Sequence, residues 1–286
     1  MKRSRRHRAA TLAAAAATLL AATTAGAAPS TASSGAPHPT DHAQRAGIAR
    51  GGDAFMGWSQ DSTTAAPTQK QAADASTLAA ATQTPGIDVS KWQGNVDWAS
   101  YWSQGKKFAY VKATEGTTYQ NPYFAQQYNG SYNVGMVRGS YHFALPDNSS
   151  GTAQADWFVD HGGGWSADGK TLPGVLDIEY DPYGATCYGL SQAAMTSWIA
   201  AFTSRYKART GRDAVIYSTT SWWTTCTGNT SQFGATNPLW IARYNTTPGT
   251  LPAGWSYYTF WQYSDNPVDQ DYFNGDLAGL QRLALG

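Results

Sequence analysis

Asp177 and Glu179 close the run Gly174-Val175-Leu176-Asp177-Ile178-Glu179, and Glu179 is one of only two glutamates in the chain, with Glu115. If the run is a strand, residues two apart leave the same face, which sets the two carboxyls roughly 6.5–7 Å apart at their Cβ atoms. Burial and like-charge repulsion raise the pKa of such a pair, so that one member can hold and donate a proton. Acetal hydrolysis needs that division: a proton for the leaving oxygen and a second carboxylate for the charge developing at the anomeric carbon. Taken alone, the pair is equally compatible with two ordinary acids at a solvated strand end. Its spacing does bear on mechanism. Direct covalent retention wants carboxyls about 5–5.5 Å apart and inversion about 6.5–9.5 Å, which leaves inversion or retention assisted by a substrate N-acetyl group.

Other chemistries fit less well. Of five histidines, His7, His38 and His42 precede the folded region, and only His142 and His161 remain, too few for a His-rich metal site. No G-x-S-x-G elbow supports a serine triad. Gly162-Gly163-Gly164 runs into Trp165 rather than a helix, so it reads as a turn and not a phosphate cradle. No metal and no cofactor are expected. Twelve Trp and seventeen Tyr exceed the ordinary needs of a core, and aromatic faces stack well on sugars. Tyr141, Tyr217 and Trp240, at the ends of β-like runs, are candidate platforms, whereas Trp198 reads as core.

These residues must be carried by elements, and the pattern from residue 85 alternates short β-rich runs with helix-like stretches. The runs are 86–89, 108–112, 137–143, 174–179, 214–218, 239–242 and 258–263, with a short one near Val268. Helix-like stretches occupy 95–105, 122–134, 151–159 and 191–210. In the last, Ser191 is an N-cap, and Met195, Trp198, Ile199, Phe202 and Tyr206 recur at helical spacing. Alternation with about eight strands predicts an α/β fold, a closed parallel barrel whose last third is irregular. Such barrels place chemistry at the C-terminal ends of their strands. Asp88, Tyr141, Asp177, Glu179, Tyr217, Gln262 and Asp269 all fall at or just past such ends.

The N-terminus reads as a leader. A basic start, an Ala/Leu-rich stretch and Ala25-Gly26-Ala27 have the form of a secretory signal peptide over 1–27. Residues 28–83, rich in Ala, Thr, Ser, Gln and Pro, read as a low-complexity linker or pro-segment, largely disordered. Within it, the island Asp53–Trp58 is a candidate for docking on the folded domain. Residues 84–286 then form one domain, large enough for a sizeable core. That part carries 12 Lys/Arg against 15 Asp/Glu, a balance of −3, so a nucleic-acid surface is not expected. No later segment could span a bilayer; a secreted, extracellular monomer is expected. Cys187 and Cys226 are expected to pair as a disulfide in an exported chain.

Several motifs together resemble the glycoside hydrolase family 25 lysozymes, the Chalaropsis-type N-acetylmuramidases. They are 86–94 (GIDVSKWQG), 108–116 (FAYVKATEG), 139–143 (GSYHF), 176–179 (LDIE), 260–263 (FWQY) and 269–275 (DQDYFNG), spanning the domain in order. The resemblance implies a modified TIM-like barrel, (β/α)5(β)3, and hydrolysis of the β-1,4 bond between N-acetylmuramic acid and N-acetylglucosamine in bacterial peptidoglycan. It implies Glu179 as general acid and Asp177 assisting the 2-acetamido group, with Asp88 and Asp269 completing an acidic cluster. Family members often show Asn where this chain has Asp271. A chitinase-like endo-N-acetylglucosaminidase is the nearest rival, but its D-x-x-D-x-D-x-E pattern would need acids at Leu172 and Val175. A non-catalytic wall-binding module would have no need of a desolvated acid pair. Glu115 reads as a structural ion-pair or turn residue.

Overall fold

The computed structural model of the protein describes residues 38–60 and 83–286. The expected signal peptide, residues 28–37 and residues 61–82 lie outside the described residues.

Five βα units come first. They are β1 (Thr84–Val89) with α2 (Trp98–Ser103), β2 (Phe108–Glu115) with α3 (Phe124–Asn133), β4 (Val137–Phe143) with α4 (Gly151–Phe158), β5 (Val175–Asp177) with α5 (Gln192–Thr210), and β6 (Val215–Ser218) with α6 (Thr220–Thr227). Three strands follow without intervening helices: β7 (Leu239–Ala242), β8 (Phe260–Ser264) and β9 (Gln270–Phe273). Apart from β3, neighbours from β1 to β8 pair in parallel. β9 runs antiparallel between β8 and β1 and closes the barrel. β3 (Tyr119–Gln120) is a short antiparallel appendage of β2. The last helix, α7 (Leu277–Leu285), is capped by Asp276, which accepts from the Gly279 N–H at 2.7 Å. The (β/α)5(β)3 expectation holds.

Alternation along each strand builds the core. Phe108, Tyr110, Val137, Tyr141, Val175, Val215, Tyr217, Trp240, Phe260 and Phe273 fill the interior. The intervening residues Leu176, Ile178 and Ile216 face the helices, where Met195, Trp198, Ile199, Phe202 and Tyr206 of α5 meet them. Ser191 caps α5 by accepting from the Ala194 N–H at 3.3 Å, and Gly211 ends it in the left-handed region at φ 77°, as its sequence predicts.

Some elements differ from the sequence expectation. The run 174–179 forms a ladder only over Val175–Asp177. The Ile178 N–H still reaches the Tyr217 carbonyl at 3.1 Å, but Glu179 lies beyond the paired strand. α6 and α7 are not among the expected helices: α6 is a Thr/Trp segment started by the Thr219 hydroxyl, which accepts from the Trp222 N–H at 3.0 Å, while α7 is short and packs Leu280 and Ala284 on the core. Cys187 and Cys226 are disulfide-bonded, with Cα atoms 5.3 Å apart, tying the loop after β5 to α6.

Residues 38–60 depart most from expectation. Far from being disordered, they form helix α1 (Asp41–Arg45), capped by Thr40, followed by turns. Ala43, Ile48, Ala54, Met56 and Trp58 are all buried. The Asp53–Trp58 island is the part that crosses the barrel.

Candidate active site

Asp88 and Asp177 reach the C-terminal mouth of the barrel from inward-facing strand positions, Glu179 stands two residues past the end of β5, and Asp269 immediately precedes β9. On β1, Asp88 accepts through Oδ2 from the Gln262 Nε2 of β8 at 2.8 Å. Gln262 in turn accepts through Oε1 from the Tyr217 hydroxyl of β6 at 2.6 Å. One amide therefore ties three strands across the opening. Asp177 ends β5, and neither of its carboxyl oxygens has a hydrogen-bond partner among the described residues. Glu179 follows, accepting from the Gly57 N–H and the Ser59 hydroxyl, each at 2.8 Å. Asp88, Asp177 and Glu179 are all 0 % exposed.

Burial dominates the electrostatics, because a carboxylate loses its hydration there. It lifts Glu179 to about 8, against the hydrogen bonds from Ser59 and Gly57, so this carboxyl holds its proton at neutral pH. It lifts Asp88 to about 7, against the donor Gln262. Asp177 is pushed well above the ordinary range by burial and then by the charge of Glu179, with Lys112 pulling the other way. Burial and the charge of Asp88 also raise Asp269.

The remaining sequence candidates divide. Tyr141 is fully buried, and the charges of Asp88, Asp177 and Asp269 reach its hydroxyl. Asp269 and Trp92 line a surface hollow beside the mouth. Trp240 sits deeper, its ring 4.8 Å from Tyr110, 5.3 Å from Phe260 and 5.6 Å from Tyr217. Its faces are taken up by packing, which makes it floor rather than wall. His142 is a buried structural residue: Nδ1 pairs with the Thr114 hydroxyl at 2.8 Å and Nε2 with the Gln154 side chain at 2.9 Å. Burial lowers it to about 3, so it stays neutral.

One participant, Lys112, escaped the sequence reading. Lys112 is completely buried and pairs with Glu115 at 2.5 Å. Its signal was a lone cation closing the otherwise apolar run Phe108–Lys112. Glu115 also accepts from the Tyr183 hydroxyl at 2.7 Å and the Gly52 N–H at 2.8 Å, in keeping with a structural ion-pair role. Asp271 is buried in the interior, its carboxyl raised by burial and then by the charge of Asp88.

A barrel whose strand ends bring a protonated glutamic acid beside a second carboxyl is equipped for acid-assisted cleavage of a glycosidic bond. Residues 87–272 match Glycosyl hydrolases family 25. The chain is 54% identical over 207 residues to Lysozyme M1 of Streptomyces globisporus, covering 70% of each chain. It is 49% identical over 208 residues to the N,O-diacetylmuramidase of Chalaropsis sp, covering 70% of this chain and 99% of that protein. The muramidase structure from Acremonium alcalophilum superposes with a TM-score of 0.70 at 56% identity, over 71% of this chain and 99% of that one. On sequence and fold alike, the chain belongs to glycosyl hydrolase family 25.

Proposed function

We propose that the chain is a lysozyme that hydrolyses the β-1,4 bond between N-acetylmuramic acid and N-acetylglucosamine in bacterial peptidoglycan, with Glu179 as its general acid. The activity follows from the family and from relatives named lysozyme and muramidase. The observation that carries the residue assignment is the placement of Glu179 beside Asp177 at the C-terminal end of β5, close enough for its charge to act on the Asp177 carboxyl. In the first step Glu179 gives its proton to the glycosidic oxygen as the bond to the anomeric carbon breaks. The carbonyl oxygen of the substrate's 2-acetamido group bonds to that carbon, while Asp177 orients the group and balances its charge. In the second step water attacks the anomeric carbon, Glu179 takes its proton, and the acetamido group is released with net retention. Asp88 is held by Gln262 at the same mouth, and Asp269 stands at its rim.

Glu179→Gln keeps the shape of the side chain but removes the proton. It is expected to lose at least about a thousandfold in lysis of purified peptidoglycan, within the range that general acid catalysis supplies, with unchanged circular dichroism. Near-normal turnover would sink the assignment. Product analysis distinguishes the rival: new reducing ends on muramic acid support the muramidase, ends on glucosamine the endo-N-acetylglucosaminidase. Residues 1–27 are proposed as an export signal, which places the enzyme outside the cell with its polymer. N-terminal sequencing of the protein recovered from culture medium checks the cleavage point.

A further inference from the structure

Residues 53–59 lie across the mouth where that reading places the substrate. The Met56 side chain is buried in the cluster formed by Tyr110, Tyr141, Tyr217 and Trp240. Gly57 donates to Oε1 of Glu179 and Ser59 to Oε2, which occupies both oxygens of the acid. On one side, the Lys112 ammonium donates to the Ala54 carbonyl and the Trp92 indole N–H to the Asp53 carbonyl at 2.8 Å. Lys91 closes on the Asp53 carboxylate. On the other side Trp58 packs edge-on against His42 of α1, with ring centroids 5.4 Å apart. Thr40 donates its N–H to the Pro182 carbonyl at 2.8 Å, so the barrel holds the segment at both of its ends.

The fit depends on two glycines. Gly57 has φ +76°, and a Cβ there would come within 2.4 Å of the Gln262 amide oxygen and the Tyr244 hydroxyl. Gly52 has φ +88°, and a Cβ would enter the Tyr119 ring at 2.2 Å. Both conformations favour glycine, and both glycines lie where the backbone presses on the barrel. A glycan cannot reach an acid that is wholly buried and already hydrogen-bonded on both oxygens.

On the muramidase reading of the site, we infer that residues 38–60 are an intramolecular blocker that occupies the glycan cleft and keeps the enzyme latent until the segment leaves. Covalent attachment sets the local concentration of the segment at about the millimolar level, so a contact of modest intrinsic affinity suffices. Separation from the barrel turns this into an ordinary bimolecular equilibrium, and dilution completes the release.

The test uses the full chain with a site-specific protease recognition sequence placed within residues 61–82, assayed on peptidoglycan before and after cutting and dilution. Cutting is expected to raise the rate about tenfold or more, the equivalent of about 1.4 kcal/mol. Gly57→Ala and Met56→Asp are expected to do the same without cutting. A synthetic peptide of residues 38–60 added to the cut protein is expected to restore latency, and its Gly57→Ala form to fail. Equal rates for parent, variants and cut protein would overturn the inference. So would slower rates in the variants, since the segment would then be part of the working site. If no form lyses peptidoglycan, the muramidase reading falls, and access to the cleft still reports on the blocker. An N-acetylglucosamine tetramer followed by calorimetry should bind the cut protein and not the uncut one; equal binding, or binding to neither form, overturns the block.

Discussion

Gln262 donates to Asp88 at 2.8 Å while accepting from the Tyr217 hydroxyl at 2.6 Å, all three side chains being fully buried. An amide suits this place because it offers a donor to the carboxyl and an acceptor to the phenol at once. Replacement by methionine keeps the volume but leaves both partners buried without their hydrogen bonds. Each orphaned group costs about 1–3 kcal/mol, so Gln262→Met is expected to be destabilised by roughly 2–4 kcal/mol in urea unfolding. Gln262→Glu should fare worse, because it sets a second acid against Asp88. A stability within 0.5 kcal/mol of the parent, as an order-of-magnitude bound for a surface change, would show that the bridge carries no weight.

The raised acids give the stability of the full chain a pH dependence of definite sign. Burial lifts Asp88 from an ordinary 3.8 to about 7 and Glu179 from 4.5 to about 8. Between these limits the folded chain holds protons that the unfolded chain has released, so stability falls as pH rises. The contribution is complete below about pH 4, where both states are protonated, and is lost as pH passes 7 and 8. Calorimetry should show Tm falling by several degrees from pH 5 to pH 8.5, at about 2–4 °C for each kcal/mol in a chain of this size. Glu179→Gln removes one of the titrating groups and should flatten the slope while raising Tm at the alkaline end. A Tm flat across the range in the parent would contradict burial of these carboxyls as proton-holding groups.

The barrel was legible in the sequence because its signals are local and repeated. β-rich runs such as Phe108–Lys112 and Val137–Phe143, and a capped helix at Gln192–Thr210 with large apolar residues at helical spacing, each state their own element. The acids were legible because a carboxyl at the end of an apolar run is costly unless it has work to do. Other features depended on partners distant in the chain. Glu179 binds Gly57, 122 residues away, and Gln262 binds Asp88, 174 residues away; no local pattern records such pairings. Trp240 resembled a strand-end platform, but the inward face of β7 places it among Tyr110, Tyr217 and Phe260. The Asp53–Trp58 island was visible as a break in composition. Its destination was not, because its glycines acquire meaning only against Tyr119, Gln262 and Tyr244.

Lys112 and Glu115 form an ion pair at 2.5 Å with side-chain exposures of 0 % and 1 %, on the two sides of the irregularity in β2 between Lys112 and Thr114. Removing one member strands the other charge in the barrel wall, which typically costs about 3–5 kcal/mol. Lys112→Met is therefore expected to be strongly destabilised, and the Asp177 carboxyl, which the ammonium now pulls downward, should rise further. In Glu115→Gln the amide oxygen can still accept from the Tyr183 hydroxyl and the Gly52 N–H while the Lys112 ammonium keeps the Ala54 carbonyl, so this variant should cost less. The Lys112→Met, Glu115→Gln double variant leaves no charge to strand and should recover part of the loss. A double-mutant cycle in urea that shows strictly additive costs would mean that the two side chains are held independently. Recovery of stability in the double variant without recovery of activity would separate the cation's structural role from its electrostatic effect on Asp177.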